Sequence, residues 1–188
     1  VCVSKTVSRA DFLECVKKYK NKVVSAEEAM EAIGSNETVA ISTEPQPTVL
    51  MKALAERKDQ LENVRILTHC PNFDPGWLQA GWSKAFPVTV IMYLGEVARP
   101  ANDLGLIDYW PAVFSNEFKS IEEEHRNPGR IDTLLTVCSP PDSNGFCSFG
   151  HSLWDKRRWA QNARKVVAQV DKNMIRTYGT NYIHMDDI

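Results

Sequence analysis

No run of apolar residues in this chain approaches the ~20 needed to cross a bilayer. There is no G-x-G-x-x-G and no Gly-Lys-Ser/Thr, so nucleotide binding through either of those loops has no support. Cysteine is sparse and scattered. Cys2, Cys15, Cys70, Cys138 and Cys147 form no C-x-x-C pair and have no histidine at zinc-finger spacing. They read as reduced, mostly buried thiols rather than metal ligands or disulfides, and no metal is expected. Neither sign of charge dominates. A formal net charge of −2 argues against a general nucleic-acid or membrane-surface binder. The first residues, Val1-Cys-Val-Ser-Lys5, are too short and polar for a signal peptide. The expected setting is the cytoplasm, or the mitochondrion if a transit peptide has been trimmed. Internal repeats, low-complexity segments and a recognisable linker are also lacking, so residues 1–188 read as one domain. With 43% apolar residues it is long enough to bury a real core.

What is there alternates between two periods. Glu37–Ser42, Val64–Thr68, Phe86–Leu94, Ile131–Val137 and Val166–Val170 are β-rich and nearly continuous in apolar residues, which suits strands covered on both faces. Helical spacing occupies the gaps. Asp11–Lys20 places Phe12, Leu13, Val16 and Tyr19 on one face. Ser25-Ala-Glu-Glu28 reads as a capping box, with Gly34 stopping the helix it starts. Thr48–Leu61, Asn116–Arg126 and Leu153–Ala163 complete the set, the last opened by a capping box over Ser152–Asp155. Strand alternating with helix predicts an α/β fold: a mostly parallel sheet with helices on both faces.

Ligands of open α/β sheets bind beyond the carboxyl ends of the strands, so three loops there are candidates. Ser42-Thr-Glu-Pro-Gln-Pro47 runs straight into a helix. Free amides at such a start can hold an anion, although a proline-rigid turn is the plainer reading. Gly95-Glu-Val-Ala-Arg-Pro-Ala101 carries Arg99, a fork of donors able to clamp a carboxylate or phosphate, or simply a solvated arginine. Ser139-Pro-Pro-Asp-Ser-Asn-Gly-Phe-Cys-Ser-Phe-Gly150 is the most distinctive. Two prolines fix φ, and Asn144-Gly145 supplies a turn that needs positive φ. Its polar groups serve either a ligand or an Asx-type turn.

The remaining candidates are weaker. Cys147 and His151 straddle a loop, so a thiol–imidazole pair is not assured. His69 and Cys70 end a strand and could line a pocket, though a satisfied core histidine is commoner. His125 reads as solvated, and His184 has no visible partner. Lys156-Arg-Arg158, interleaved with Trp154 and Trp159, reads as a helix with a buried aromatic edge and a wet basic face. Binding the phosphates of a nucleotide-like cofactor is the lesser option.

The Ser139–Gly150 segment resembles the S-P-P-D-x-x-G-[YF]-x-S-[LF]-G loop of the acetyl-CoA hydrolase/transferase family, which includes 4-hydroxybutyrate CoA-transferases. Three other segments follow in the family's order. Glu44-Pro45-Gln46 before a Leu/Ala helix is similar to its first strand–helix loop. Arg99-Pro-Ala101, Gly105 and Asp108-Tyr-Trp-Pro111 are similar to its R-x-A…G…D-Y-x-P segment. Asn173-Met-Ile-Arg-Thr-Tyr-Gly179 with Ile183-His184 resembles its N-x-P-R-T-x-G…F-I-H segment. The likeness runs from about Tyr19 to the end. Two positions depart from the pattern: Ile175 stands where proline is usual, and Phe149 where leucine is commoner.

The resemblance implies a CoA-transferase fold in two α/β halves, with coenzyme A entering as substrate. It implies a glutamate nucleophile that attacks an acyl-CoA thioester, forms an anhydride, becomes a glutamyl–CoA thioester and passes CoA to a second acid. The family carries that glutamate in its second half. Glu44 matches the Glu-Pro-Gln loop instead, so no catalytic residue is expected here. This chain would be the N-terminal half, partnered by a C-terminal half and in a homodimer. Its share of the acyl-CoA and carboxylate site would come from Glu44, Pro45, Gln46, Arg99, Ser139, Pro140, Pro141, Asp142, Asn144, Gly145, Ser148 and Gly150. A thioester hydrolase, or a non-catalytic module of the same fold, are the alternatives.

Overall fold

The computed structural model describes residues 14, 17–117, 119, 131–154 and 156–188. Among the described residues eight strands run in chain order: β1 (Thr38–Ile41), β2 (Arg65–His69), β3 (Val88–Ile91), β4 (Asp108–Trp110), β5 (Thr133–Cys138), β6 (Phe146–Ser148), β7 (Lys165–Val170) and β8 (Tyr182–His184). Six of them make a sheet in the order β4-β3-β2-β1-β5-β7, parallel at each pairing. β6 and β8 pair antiparallel as a separate two-stranded ribbon. Among the described residues the bounded α-helices are α1 (Ala26–Met30), α2 (Thr48–Ala55), α3 (Gly95–Asp103) and α4 (Lys156–Asn162).

The continuous apolar runs have their expected cause. β1 and β5 are buried along their whole length. Successive residues point to opposite faces of a strand, and each face here has its own core. Val39, Ile41 and Ile66 pack with Met30, Leu50, Leu54, Ala98 and Phe86 on one side. Ala40, Leu67, Ile91 and Leu134 pack with Trp110, Phe149 and Trp159 on the other. Among the described residues no helix is long and apolar enough to cross a membrane.

The five expected strands all form, with shifted ends. Phe86–Leu94 contracts to β3, because Met92 turns to φ 74 and breaks the ladder. β4, β6 and β8 were not anticipated. Three residues each give too little periodicity to read.

The helices depart further. The Ser25 cap forms, its side chain accepting from Glu28 N at 3.1 Å. The helix ends at Met30, well before Gly34, which does not adopt the left-handed conformation. Arg57 closes it instead, donating from Nη1 to Met30 O and, at 2.8 Å, to Ile33 O. Thr48–Leu61 shortens to α2, and Arg57 lies in the turns beyond it. Gly95–Ala101, read as a loop, is helix α3 with Pro100 inside it. Its signal was Ala98 and Ala101, one turn apart on the core face. Leu153–Ala163 begins late, as α4, because Trp154 has φ 40 and cannot belong to a right-handed turn. The expected Ser152–Asp155 capping box depends on Asp155, which lies outside the described residues. Most of the Asp11–Lys20 and Asn116–Arg126 helices, with Cys2, Cys15, His125 and Asp155, lie outside the described residues.

Candidate functional site

β1 has β2 on one side and β5 on the other, with chain direction preserved. The strand order therefore reverses between β1 and β5, the point at the carboxyl edge where open α/β sheets form a ligand crevice. The Ser42–Pro47 loop leaves β1 there and the Ser139–Gly150 loop leaves β5. The backbone is unusual along this edge. Cys70 directly after β2, Met92 directly after β3, and Trp154 before α4 have φ of 39°, 74° and 40°. Such conformations in residues other than glycine are uncommon and concentrate at functional sites. The Glu44-Pro45 peptide is cis.

The Ser139–Gly150 loop is braced from within. Asp142 Oδ1 accepts from Asn144 N at 2.9 Å and from Phe146 N at 3.0 Å, an Asx turn. Its Oδ2 takes Arg176 Nη2 at 2.9 Å. Arg176 also donates to Ser139 Oγ and to the carbonyls of Pro140 and Phe146. Ser139 and Ser148 are fully buried. Ser139 Oγ accepts from Ser148 N at 2.9 Å, while Ser148 Oγ accepts from Gly150 N at 3.1 Å. Gly150 O takes Thr177 Oγ1 and Asn181 Nδ2. The two glycines are needed where they stand. Gly145 has φ 86, and an added Cβ would meet His184 Nε2 at 2.8 Å. Gly150 has φ 79, and an added Cβ would meet Met174 Sδ at 2.1 Å. His184, which showed no partner in the sequence, donates from Nε2 to Asn144 O at 3.0 Å and lies edge-on to Phe146. Pro141 and Gly145 are buried too, and the loop exposes Ser143 and Asn144. So Ser139, Asp142 and Ser148 hold the loop's shape with their polar atoms.

The other wall is differently made. A cavity of about 10 Å³ is lined by Ser42, Thr43, His69, Glu117, Trp154, Lys156 and Trp159. His69 Nε2 and Glu117 Oε1 are 2.5 Å apart, with side chains 4% and 1% exposed. Trp159 lies edge-on to the imidazole, centroids 4.9 Å apart. Ser42 Oγ, Thr43 Oγ1, His69 Nδ1 and Glu117 Oε2 are buried with no hydrogen-bond partner among the described residues. Gln46 is in the same condition at Nε2, while its Oε1 accepts from Asn72 N at 3.2 Å. Glu44 is exposed, its carboxylate taking Asn72 Nδ2. Burial, reinforced by Glu44 and Glu117, pushes the Cys70 thiol up.

Lys156 corrects the sequence reading. It belongs to no wet basic face: it is 2% exposed and donates to Glu44 O at 2.7 Å. Burial lowers its pKa to about 8, with Glu44 and Cys138 pulling in the opposite direction. Arg157 and Arg158 are exposed, as expected. The two tryptophans do not share a helix: Trp159 is buried on α4, and Trp154 precedes it, half exposed.

Not every candidate joins this crevice. Arg99 lies exposed on α3 and does not line the cavity. Cys147 is buried against Met185 Sδ at 3.7 Å, and His151 is exposed, so they form no dyad. Cys70, Cys138 and Cys147 are free thiols. Among the described residues no group of three or more His, Cys, Asp or Glu side chains could hold a metal. Sequence reasoning missed Lys156 and Glu117. A charge run hid the first, and the second carries no local motif.

Comparison with known proteins finds relatives in sequence and in fold. Residues 6–188 match the acetyl-CoA hydrolase/transferase N-terminal domain. The chain is 33% identical over 171 residues to the 4-hydroxybutyrate coenzyme A transferase of Clostridium kluyveri, covering 90% of this chain and 39% of that protein. It is 27% identical over 173 residues to the succinyl-CoA:cyclohexane-1-carboxylate CoA transferase of Geobacter metallireducens, covering 92% and 38%. Its fold is that of RipA from Yersinia pestis, with a TM-score of 0.79 at 23% identity over 95% of this chain and 42% of that one. The chain thus spans about two fifths of the length of these relatives. On the match across residues 6–188 and the 33% identity, this chain belongs to the acetyl-CoA hydrolase/transferase family and carries its N-terminal domain.

Proposed function

We propose that the chain is the substrate-binding N-terminal half of an enzyme that moves CoA between an acyl-CoA thioester and a short-chain carboxylate. The observation that carries this reading is the 33% identity, across nine tenths of the chain, to a 4-hydroxybutyrate coenzyme A transferase. In this reading a glutamate of the C-terminal half attacks the thioester carbonyl and expels CoA as thiolate. The thiolate then attacks the glutamyl carbonyl of the anhydride and releases the first acid. The incoming acid takes the acyl position by the reverse sequence, which regenerates the glutamate. Splitting one exchange into covalent steps lowers each barrier, provided the carboxylate is aligned and kept dry.

This half supplies a wall to that site. Glu44, Pro45 and Gln46 face the crevice from β1, and Gln46 Nε2 is a buried donor awaiting an acceptor. Pro140, Pro141, Asp142, Asn144 and Gly145 form the opposite lip. Ser139, Ser148 and Gly150 hold that lip in shape. Arg99, exposed on α3, clamps an anionic group from outside the cavity. The complete enzyme works as a homodimer in the cytoplasm.

The test uses the full-length protein. Incubated with acyl-CoA and acetate, it should form acetyl-CoA, and the 188-residue chain alone should not. Exchange catalysed by this chain alone would sink the division of roles. CoA release that is independent of added acid would instead make the protein a hydrolase, with water resolving the intermediate.

A further inference from the structure

Lys156 is a buried cation with no carboxylate in contact among the described residues. Its ammonium has three donors. The partner it has is a neutral carbonyl, Glu44 O at 2.7 Å. Burying a charge without a counterion is strongly unfavourable, so a position like this persists where something supplies the missing charge. The surroundings also want a polar guest. Ser42 Oγ and Thr43 Oγ1 can each donate, both residues are more than nine-tenths buried, and neither oxygen has a partner among the described residues. His69 Nδ1 completes the lining. Of the acidic neighbours, Glu117 gives Oε1 to His69 at 2.5 Å and leaves Oε2 buried and unpartnered among the described residues in the same lining, a further acceptor in the cavity, while the Glu44 carboxylate takes Asn72.

We propose that this corner of the cavity binds the carboxylate head of a free short-chain acid, with Lys156 as counterion and the Ser42 and Thr43 hydroxyls as donors. A volume of about 10 Å³ accepts roughly one oxygen atom. The second oxygen and the alkyl chain then extend towards the mouth, where Trp154 is half exposed. That the acid is the acceptor in CoA transfer rests on the reading above. The anion site itself rests on burial and on the unpartnered donors.

The groups facing Lys156 are Glu44 from the loop after β1, His69 from the end of β2, Cys138 from the end of β5, and Glu117. Burial outweighs the pull of Glu44 and Cys138 and sets the lysine's pKa near 8. Acid binding should therefore be full below pH 8 and fall above it, by about tenfold for each further pH unit.

The experiment titrates full-length protein calorimetrically with sodium butyrate, and with butyramide as a neutral isostere, from pH 6.5 to pH 9.5. The expected result is saturable binding of butyrate, none of the amide, and the stated decline with pH. Lys156→Met and Lys156→Gln should weaken butyrate at least tenfold and raise the KM for the acid while leaving the KM for acyl-CoA unchanged. A flat pH profile, equal binding of the amide, or unchanged affinity in a folded variant overturns the proposal. The wild-type pH profile and the amide control decide it even if both variants fail to fold. Butyrate binding without CoA exchange defeats the transfer reading and leaves the anion site standing. Exchange with an unaltered acid KM in Lys156→Met does the reverse.

Discussion

The two loops that bound the crevice leave neighbouring strands, yet their polar atoms have opposite fates. In Ser139–Gly150, Asp142, Ser139 and Ser148 are consumed by the loop and by the 174–184 segment packed on it. In Ser42–Pro47, Ser42 Oγ, Thr43 Oγ1 and Gln46 Nε2 are buried and unpartnered among the described residues. Buried polar groups in folded proteins are nearly always satisfied, so those that are not call for an explanation. The contrast separates shape from recognition. The segment with the most distinctive sequence makes a rigid lip, and the plainer proline turn presents the unspent donors.

The comparison breaks most visibly at Gly150. Replacing it with alanine forces a Cβ against Met174 and a side chain into φ 79. Left-handed strain and overpacking together should cost about 3 to 4 kcal/mol, read by urea unfolding. A loss under about 1 kcal/mol would show a lip softer than its hydrogen bonds indicate.

Lys156 gives the next effect, with the opposite sign for its wall. Its folded pKa of about 8 lies below its ordinary value of 10.5. The unfolded chain therefore holds the proton more tightly between those values, and stability should rise as pH climbs from 8 to 10.5. The gain is up to about 3 kcal/mol. It should be missing from the pH curve of Lys156→Met, and saturating butyrate should flatten it in the wild type. A wild-type and variant pair with parallel pH curves would mean the ammonium is not buried in solution.

Thr43→Val is the smallest change and the sharpest contrast. No hydrogen bond among the described residues is lost, so stability should stay within about 0.5 kcal/mol of wild type or rise. Function should suffer nonetheless, as a higher KM for the acid. A large stability loss would reveal a partner for Thr43 and weaken the distinction between the loops.

Much of this fold could be read along the chain. Val39–Ile41 and Leu134–Val137 declare buried strands because both faces of each are covered. Ser25 declares a helix start because its cap reaches only to Glu28. Reading failed where a local signal was overruled. Gly95 and Pro100 look like loop punctuation, yet α3 forms because Ala98 and Ala101 can be buried on one face. Lys156-Arg-Arg158 looks like a solvated run, yet packing buries the first of the three.

The sequence alone determined the alternation of strand and helix, the placing of its special loops at strand ends, and the family those loops resemble. These are properties of residues close together along the chain, where propensity, capping and turn chemistry act. Tertiary structure alone decided the strand order that opens the crevice, which polar groups are spent, and which lysine is buried. Those outcomes join distant residues: Lys156 to Glu44 across 112 positions, Asp142 to Arg176 across 34, His69 to Glu117 across 48. No local preference encodes such a contact, because burial and pairing exist only once the sheet has assembled.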